Sequence, residues 1–397
     1  MISNAGLILV SILVACIFFH PRVLRMRLWR ATVTPLASII GSGFLVVGPI
    51  LANTFGSAAW LAMAALCSLG YLYGAVMRHN IRYVQPGLKS LPPTSVFIER
   101  ASDFALSLAY FVSVAYYLNL FAAFGMRIVE VESRLAVQIV ASIAIATIGV
   151  IGLSGGLRAL ERIEVYAVGL KLCVILGIFA ALILFATTGH TISSPVEPQE
   201  GLGKLQVLLG LIVLVQGFET SRYLGAEYDT QTRLRTMRYA QWISTFIYVG
   251  FVFLLTHLFH GSPSAEGGET AIIDMLAPVG AAVTPLLIAA ALASQSSAAV
   301  ADMNGASGLL AEATHKRLSV NVGSLVTALV AIGITWSAGI YEIITYASKA
   351  FVIFYALQSL QALLSSLDRK EPGKAALFAV GLLIAIGIVL FGKPVAS

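Results

Sequence analysis

Charge is what this sequence has least of. Only 11% of its 397 residues are Asp, Glu, Lys or Arg, while 58% are hydrophobic, against about a quarter charged and about half apolar in soluble domains. That shortage excludes an ordinary soluble enzyme. Cysteine is also scarce: Cys16, Cys67 and Cys173 all fall inside apolar runs, so no extracytoplasmic disulfide framework is implied. No phosphate-cradling Walker sequence occurs, which argues against ATP-driven pumping by this chain alone. Among the six histidines, His257 and His260 share a helix face but lack a third ligand, so neither a metal nor any other cofactor is expected.

What the chain has in abundance is apolar runs of about 20 residues, the length that crosses a hydrocarbon core. They are read at 4 to 19, 33 to 52, 56 to 77, 104 to 125, 135 to 153, 163 to 187, 205 to 224, 240 to 260, 279 to 301, 320 to 338, 343 to 365 and 375 to 392. The expected fold is an all-α polytopic membrane protein of about 12 helices, forming a single transmembrane domain over 1 to 397 with no soluble appendage. Leu13-Val14-Ala15-Cys16 loosely resembles a lipoprotein cleavage box. No Lys or Arg precedes it, and Ile17-Phe18-Phe19 continues the apolar run, so the first span is read as an uncleaved helix.

Lys and Arg accumulate in cytoplasmic loops. One set of alternate loops carries 19 of the 25 basic residues and the other carries 4, with Lys171 and Lys349 inside spans. The formal charge of +6 therefore follows from topology and needs no nucleic-acid partner; the partner is the lipid bilayer. Alternation over twelve spans puts both termini outside.

Two spans are interrupted. In 33 to 52, Ile39-Ile40-Gly41-Ser42-Gly43-Phe44 precedes Pro49 and weakens helix propagation at membrane depth. Freed backbone groups persist there only where protein, ligand or water completes their hydrogen bonds; glycines would equally serve close helix packing. In 205 to 224, Gln216-Gly217-Phe218-Glu219-Thr220 sets an acidic residue within an apolar helix, where charges are rare and usually functional. The first interrupted helix runs outward and the second inward, the sequence pointer to an inverted-repeat transporter. Lys171 follows Gly41 by 130 residues and Lys349 follows Gly217 by 132. We therefore expect repeats at 33–187 and 205–365, with helices 4–19 and 375–392 outside them.

These residues resemble the amino acid, polyamine and organocation (APC) superfamily, whose first core helix bends at a motif like Ile40-Gly41-Ser42-Gly43-Phe44. Its sixth has a stretch like Gly217-Phe218-Glu219, and its fifth often a Lys followed by aliphatics, as in Lys171-Leu172-Cys173-Val174-Ile175. The resemblance covers roughly residues 30 to 395. An extra helix before the core and only one after it depart from the usual pattern, which leaves the subfamily open.

The resemblance implies a leucine-transporter-type fold of five plus five helices, with alternating access and uptake or exchange of a small-molecule substrate, most commonly an amino acid or amine. It implies a bacterial inner-membrane location. The bend exposes a half-helix N-terminus that favours an anion. Similarity to the family sets a substrate carboxylate near Ser42 and Gly43, and an amine against carbonyls around Ile40 and Val215 to Gly217. Phe218 then acts as a gate or as a packing aromatic. Tyr116, Tyr117 and Asn119 lie on the third core helix, with Tyr116 taken as the substrate contact; tyrosines there would also bridge helices.

Lys171 sits about 11 residues into its span, roughly 16 Å at helical rise, where an isolated Lys costs about 2.5 to 3.5 kcal/mol on insertion scales. In the family the matching ammonium takes the place of a sodium ion, with Ser296 and Ser297 at the right depth to bond either cation. An ammonium and a sodium ion about 4 Å apart repel strongly, so Lys171 argues against sodium there and makes a proton-linked cycle possible. Glu219 is either a protonatable carboxylate facing Lys171 or Arg222, or a cap on freed N–H groups. Lys349 would bind an anionic substrate, pair with Glu342 or stabilise the bundle.

A sodium-coupled or inorganic-ion carrier, and a channel or non-transporting sensor, remain alternatives on the same scaffold. An enzyme reading rests only on Gly152-Leu153-Ser154-Gly155, similar to a rhomboid nucleophile motif but set at a loop, while the later histidines lie at span ends.

Overall fold

The computed structural model describes residues 2–41, 43–90, 92–131, 133–154, 164–187, 192–193, 202–260, 265–314 and 317–394. It is a bundle of α-helices: α1 Ile2–Phe18, α2 Pro21–Arg25, α3 Arg27–Ile39, α4 Gly43–Phe55, α5 Ala59–Tyr83, α6 Pro93–Met126, α7 Arg134–Leu153 and α8 Glu164–Thr187. There follow α9 Leu202–Gly210, α10 Thr230–Leu258, α11 Ala271–Leu276, α12 Val283–Ala313, α13 Val320–Ser337, α14 Ile340–Asp368 and α15 Pro372–Phe391. Among the described residues a two-residue parallel pairing joins Ile192 with Phe259 and Ser193 with His260.

Nine helical stretches among the described residues are long and apolar enough to cross a membrane, so the chain is an all-α polytopic membrane protein. α6 is the best shielded of them and α7 the least. The first is therefore central, and the second turns much of its apolar surface outward, as lipid permits. With 34 residues, α6 extends about 51 Å at helical rise, well beyond a hydrocarbon core of about 30 Å. Its start at Pro93, against an expected 104, brings Glu99 into the bundle. α12 likewise runs to Ala313, beyond the expected 301, and encloses Asp302.

α1 lies along α8. A Cβ added at Gly6 would meet Leu184, one at Gly177 would meet Ser11 and the Leu7 carbonyl, and one at Gly169 would meet Phe19, so small residues let these backbones approach closely. The Ser11 hydroxyl donates to the Cys173 carbonyl at 3.2 Å.

Both interrupted spans leave regular helix. α3 ends at Ile39 and α4 begins at Gly43, with the Ile40 and Gly41 amides bonded back to Leu36 and Ser38. Within α4, Pro49 removes one further backbone donor. In the second, α9 stops at Gly210, a 3₁₀ turn covers Ile212–Val215, Gln216 is extended, Gly217 takes φ +117°, and a 3₁₀ segment runs over Phe218–Ala226.

Candidate functional site

The two breaks meet each other. A Cβ at Gly43 would run into the Leu214 carbonyl and the Tyr248 hydroxyl, and one at Gly217 would lie 2.6 Å from the Ile39 amide nitrogen and 2.6 Å from Ser38 Oγ. Glycine is thus required at both positions by space, and at Gly217 by its left-handed backbone as well. Tyr248 of α10 holds the junction: its hydroxyl lies 2.8 Å from the Ile39 carbonyl and 2.7 Å from the Leu214 carbonyl. One proton serves two acceptors, one from each broken helix.

Each break is also tied to a further helix. Ser294 of α12 donates to the Ile40 carbonyl at 3.2 Å and to that of Gly41. Lys171 of α8 is buried and donates from Nζ to the Ala37 carbonyl at 3.5 Å. On the second break, the Ser348 hydroxyl of α14 donates to the Gly210 carbonyl at 2.6 Å and accepts from the Val213 amide at 3.1 Å. These bonds complete backbone groups that irregular winding frees.

Beyond Gly217, Glu219 turns back on the chain. Its Oε2 accepts from the Gly217 amide at 2.9 Å and from the Tyr355 hydroxyl at 3.0 Å. Phe218 is buried and stacks on Tyr355 with ring centres 5.4 Å apart, and Tyr355 stacks in turn on Tyr73 at 4.9 Å. Gln216 Nε2 donates to the Tyr117 hydroxyl at 3.2 Å.

A buried polar network anchors the far end of the same segment. Arg222 forms an ion pair with Glu99 of α6 and donates to Gln358 of α14, whose amide and carbonyl oxygens also accept from Asn80 of α5. Arg233 donates to Gln85 and to the Arg222 carbonyl, each at 2.9 Å. Three helices, α6, α10 and α14, are thereby fastened to residues 218–226, and α5 is joined to them through Gln358.

Beside the breaks lies a cleft of about 820 Å³, walled by Thr34, Tyr110, Leu170, Thr220 and the α12 face that includes Ser296 and Ser297. The α12 wall runs from Ala293 to Glu312, roughly 28 Å at helical rise, so the cleft extends from mid-bundle to the end bearing Arg317. At the opposite end α11 packs on α4 and α12 and is fastened to the end of α6 by an Arg127–Asp274 pair.

These contacts give each residue expected from the sequence its place. Tyr117 reaches the second break, whereas Tyr116 packs against Tyr117 at 5.2 Å and Asn119 bonds Thr335 on α13. Side chains one residue apart on a helix diverge by about 100°, and composition does not say which faces inward. Ser294, not expected, touches the first break, while Ser296 bonds the Leu292 carbonyl of its own helix at 2.7 Å and Ser297 faces the cleft. The Ile40 carbonyl, expected to face an amine, accepts from Ser294. Arg222 serves Glu99 in place of Glu219. Glu342 accepts from the Gly339 amide at 2.8 Å, capping α14, and Lys349 is half-buried. Ser42 lies outside the described residues, as do Gly155, His190 and His315; Ser154 donates to the Ile151 carbonyl at 2.7 Å at the exposed end of α7. Tyr248, Ser294, Ser348 and Asp302 carried no sequence signal beyond being polar residues in or next to apolar spans.

A family model described as "APC superfamily transporter" matches residues 21–392, starting just after α1. An "Uncharacterized protein" of Aquifex aeolicus (strain VF5) is 41% identical over 389 residues, which is 97% of this chain and 95% of the relative. With two interrupted helices meeting in a polytopic bundle, the chain belongs to the APC superfamily of transporters and is an integral membrane transporter.

Proposed function

We propose that the protein is a secondary active transporter built as a five-plus-five inverted repeat, moving an amino acid or related small organic amine by alternating access in a proton-linked or exchange cycle. The observation that carries this reading is the junction at Gly43 and Gly217, beside a cleft that runs to one end of the bundle. Main-chain dipoles freed at such a junction are suited to hold a small solute. One-ended access is what a single state of an alternating-access cycle requires.

The repeat is supported by the pattern of helix contacts. Let α3/α4, α5, α6, α7 and α8 correspond in order to residues 202–226, α10, α12, α13 and α14. Exchanging the two sets then carries contacts onto contacts. α6 against α7 matches α12 against α13, α6 against α14 matches α12 against α8, and α3 against α8 matches residues 212–215 against α14. α5 with α10, α6 with α12 and α7 with α13 map onto themselves. At the breaks, α3 touches 218–226 while α4 touches 212–215, again an exchange of equivalents. The bulk of the basic residues on the loops at the cleft end support a cytoplasmic cleft mouth, with α11 as an external lid.

Proton linkage is assigned to Lys171, whose ammonium rests on the Ala37 carbonyl of the first broken helix. Losing its proton would remove the charge that strengthens that contact and so loosen the half-helix. The test is counterflow and pH-jump uptake in proteoliposomes. Saturable counterflow with an amino acid or amine is expected, and Lys171→Ala should flatten the pH dependence. Ligand binding without flux would leave a sensor, and full activity with unchanged pH dependence in Lys171→Ala would remove the proton role.

A further inference from the structure

Tyr83 is the last residue of α5, Arg369 follows the end of α14, and Lys374 lies in the first turn of α15. Three cations converge on the Tyr83 ring. The Arg369 guanidinium stands 3.8 Å from the ring centre, the Lys374 ammonium 5.4 Å and the Arg82 guanidinium 5.5 Å, each within the roughly 6 Å of a cation–π contact. The ring itself packs against His79 at 4.9 Å, and His79 meets Phe378 of α15 edge-on at 5.0 Å and bonds the Ser365 hydroxyl of α14 at 3.1 Å. The platform is therefore fixed before any ligand arrives.

The turn between α14 and α15 sets two of the cations side by side. Lys370 takes φ +58°, in the left-handed region that suits glycine better. Its amide bonds the Leu367 carbonyl at 3.0 Å, and that of Glu371 bonds the Ser366 carbonyl at 2.9 Å. The Glu371 carboxylate then lies 3.8 Å from Arg369 and 2.9 Å from Lys374. Among the described residues it is the one carboxylate in ion-pair contact with any of the three cations, and Arg82 has no such partner. Three cations against one carboxylate leave two positive charges at the ring, while on the same turn Lys370 offsets Asp368. The heads are reachable, for the Arg369 and Lys374 side chains are 43% and 47% exposed.

Apolar surface borders the cluster. Leu367, two residues before Arg369, and Leu377, one turn along α15 from Lys374, are both exposed. Since α5, α14 and α15 all belong to stretches that can cross a membrane, and the ring lies at their ends, these leucines face acyl chains and the cations stand at headgroup level.

We propose that Tyr83, Arg82, Arg369 and Lys374 form a site for the phosphate of an anionic phospholipid, with its acyl chains along Leu367 and Leu377. Guanidinium N–H forks match the oxygens of a phosphate, and Glu371 is the competitor that the headgroup displaces. An occupied site clasps the ends of α5, α14 and α15 together. It lies outside the cleft and stands whether or not the transport reading does.

The test uses the purified full chain in detergent, titrated with phosphatidylglycerol or phosphatidylcholine, read by thermal shift and by bound lipid in native mass spectrometry. Phosphatidylglycerol should stabilise the wild type at concentrations at least about fivefold below phosphatidylcholine, the weight of one basic residue at an anionic surface; that comparison needs no variant. Arg369→Gln with Lys374→Gln should abolish the preference. Arg235→Gln with Arg238→Gln removes the same charge from exposed arginines of α10 and should keep it. Glu371→Gln breaks two ion pairs and should lower the phosphatidylglycerol concentration required, a gain that a purely structural role for those pairs does not produce. Equal response to the two lipids, or equal loss in both double variants, would overturn the site in favour of diffuse charge. Stabilisation by inorganic phosphate that is lost in Arg369→Gln/Lys374→Gln, and that the lipid does not exceed, would overturn the lipid as occupant.

Discussion

Gly217→Ala is the most direct probe of the junction. At φ +117° an L-residue is strained, and a left-handed conformation costs a non-glycine residue about 1–2 kcal/mol. The new methyl would also sit 2.6 Å from the Ile39 nitrogen and 2.7 Å from the Ser38 carbonyl carbon. Those are backbone atoms of the other broken helix and cannot swing aside, so overpacking adds about 1–3 kcal/mol. The expected loss is about 2–5 kcal/mol, read as a lowered melting temperature in detergent together with loss of counterflow. Gly387→Ala is the control: nothing lies within 4 Å of its added Cβ, and it sits in regular α15, where Gly to Ala stabilises by about 0.4–1 kcal/mol. If Gly217→Ala melted with Gly387→Ala, above or level with the wild type, the close approach of the two breaks would be wrong.

Three further outcomes follow from named contacts. Arg222→Met leaves Glu99 buried and unpaired, a loss of about 3–5 kcal/mol; the double variant with Glu99→Leu should recover most of the melting temperature. Tyr248→Phe removes the hydroxyl that bridges the Ile39 and Leu214 carbonyls and should cost about 1–3 kcal/mol, with a larger effect on transport than on helix content. Asp229 caps α10, and its bonds to the Thr232 hydroxyl and amide hold its carboxyl below the usual carboxylate range. A depressed folded-state value means the cap's contribution is complete above the unfolded pKa of about 3.9 and is lost as pH falls through the folded one. Protection of the Thr232 amide, taken relative to its intrinsic exchange rate at each pH, should therefore fall on acidification, and Asp229→Ala should remove that fall.

The interruption of two spans was legible because Gly41, Gly43 and Gly217 break local rules that apolar helices otherwise obey, and Glu219 is a charge where lipid tolerates few. The partners of those breaks were not. Tyr116 and Tyr117 are equivalent as composition, and only packing turned Tyr117 to Gln216. Asp302 fell one residue beyond an expected span end, since a hydropathy boundary marks where polar residues begin and not where the helix stops. Glu99 and Arg222 read as polar residues near loops, yet both are buried because each neutralises the other.

By itself the sequence determined a membrane bundle, the places where its helices lose regular winding and the loops that carry positive charge, because each depends on the cost of moving local groups into hydrocarbon. Tertiary structure alone decided that the two breaks meet, that Tyr248 bridges their carbonyls and that Arg369 and Lys374 converge on Tyr83. Those pairings join residues tens to hundreds of positions apart. They are fixed by which faces pack together, and no local pattern encodes that.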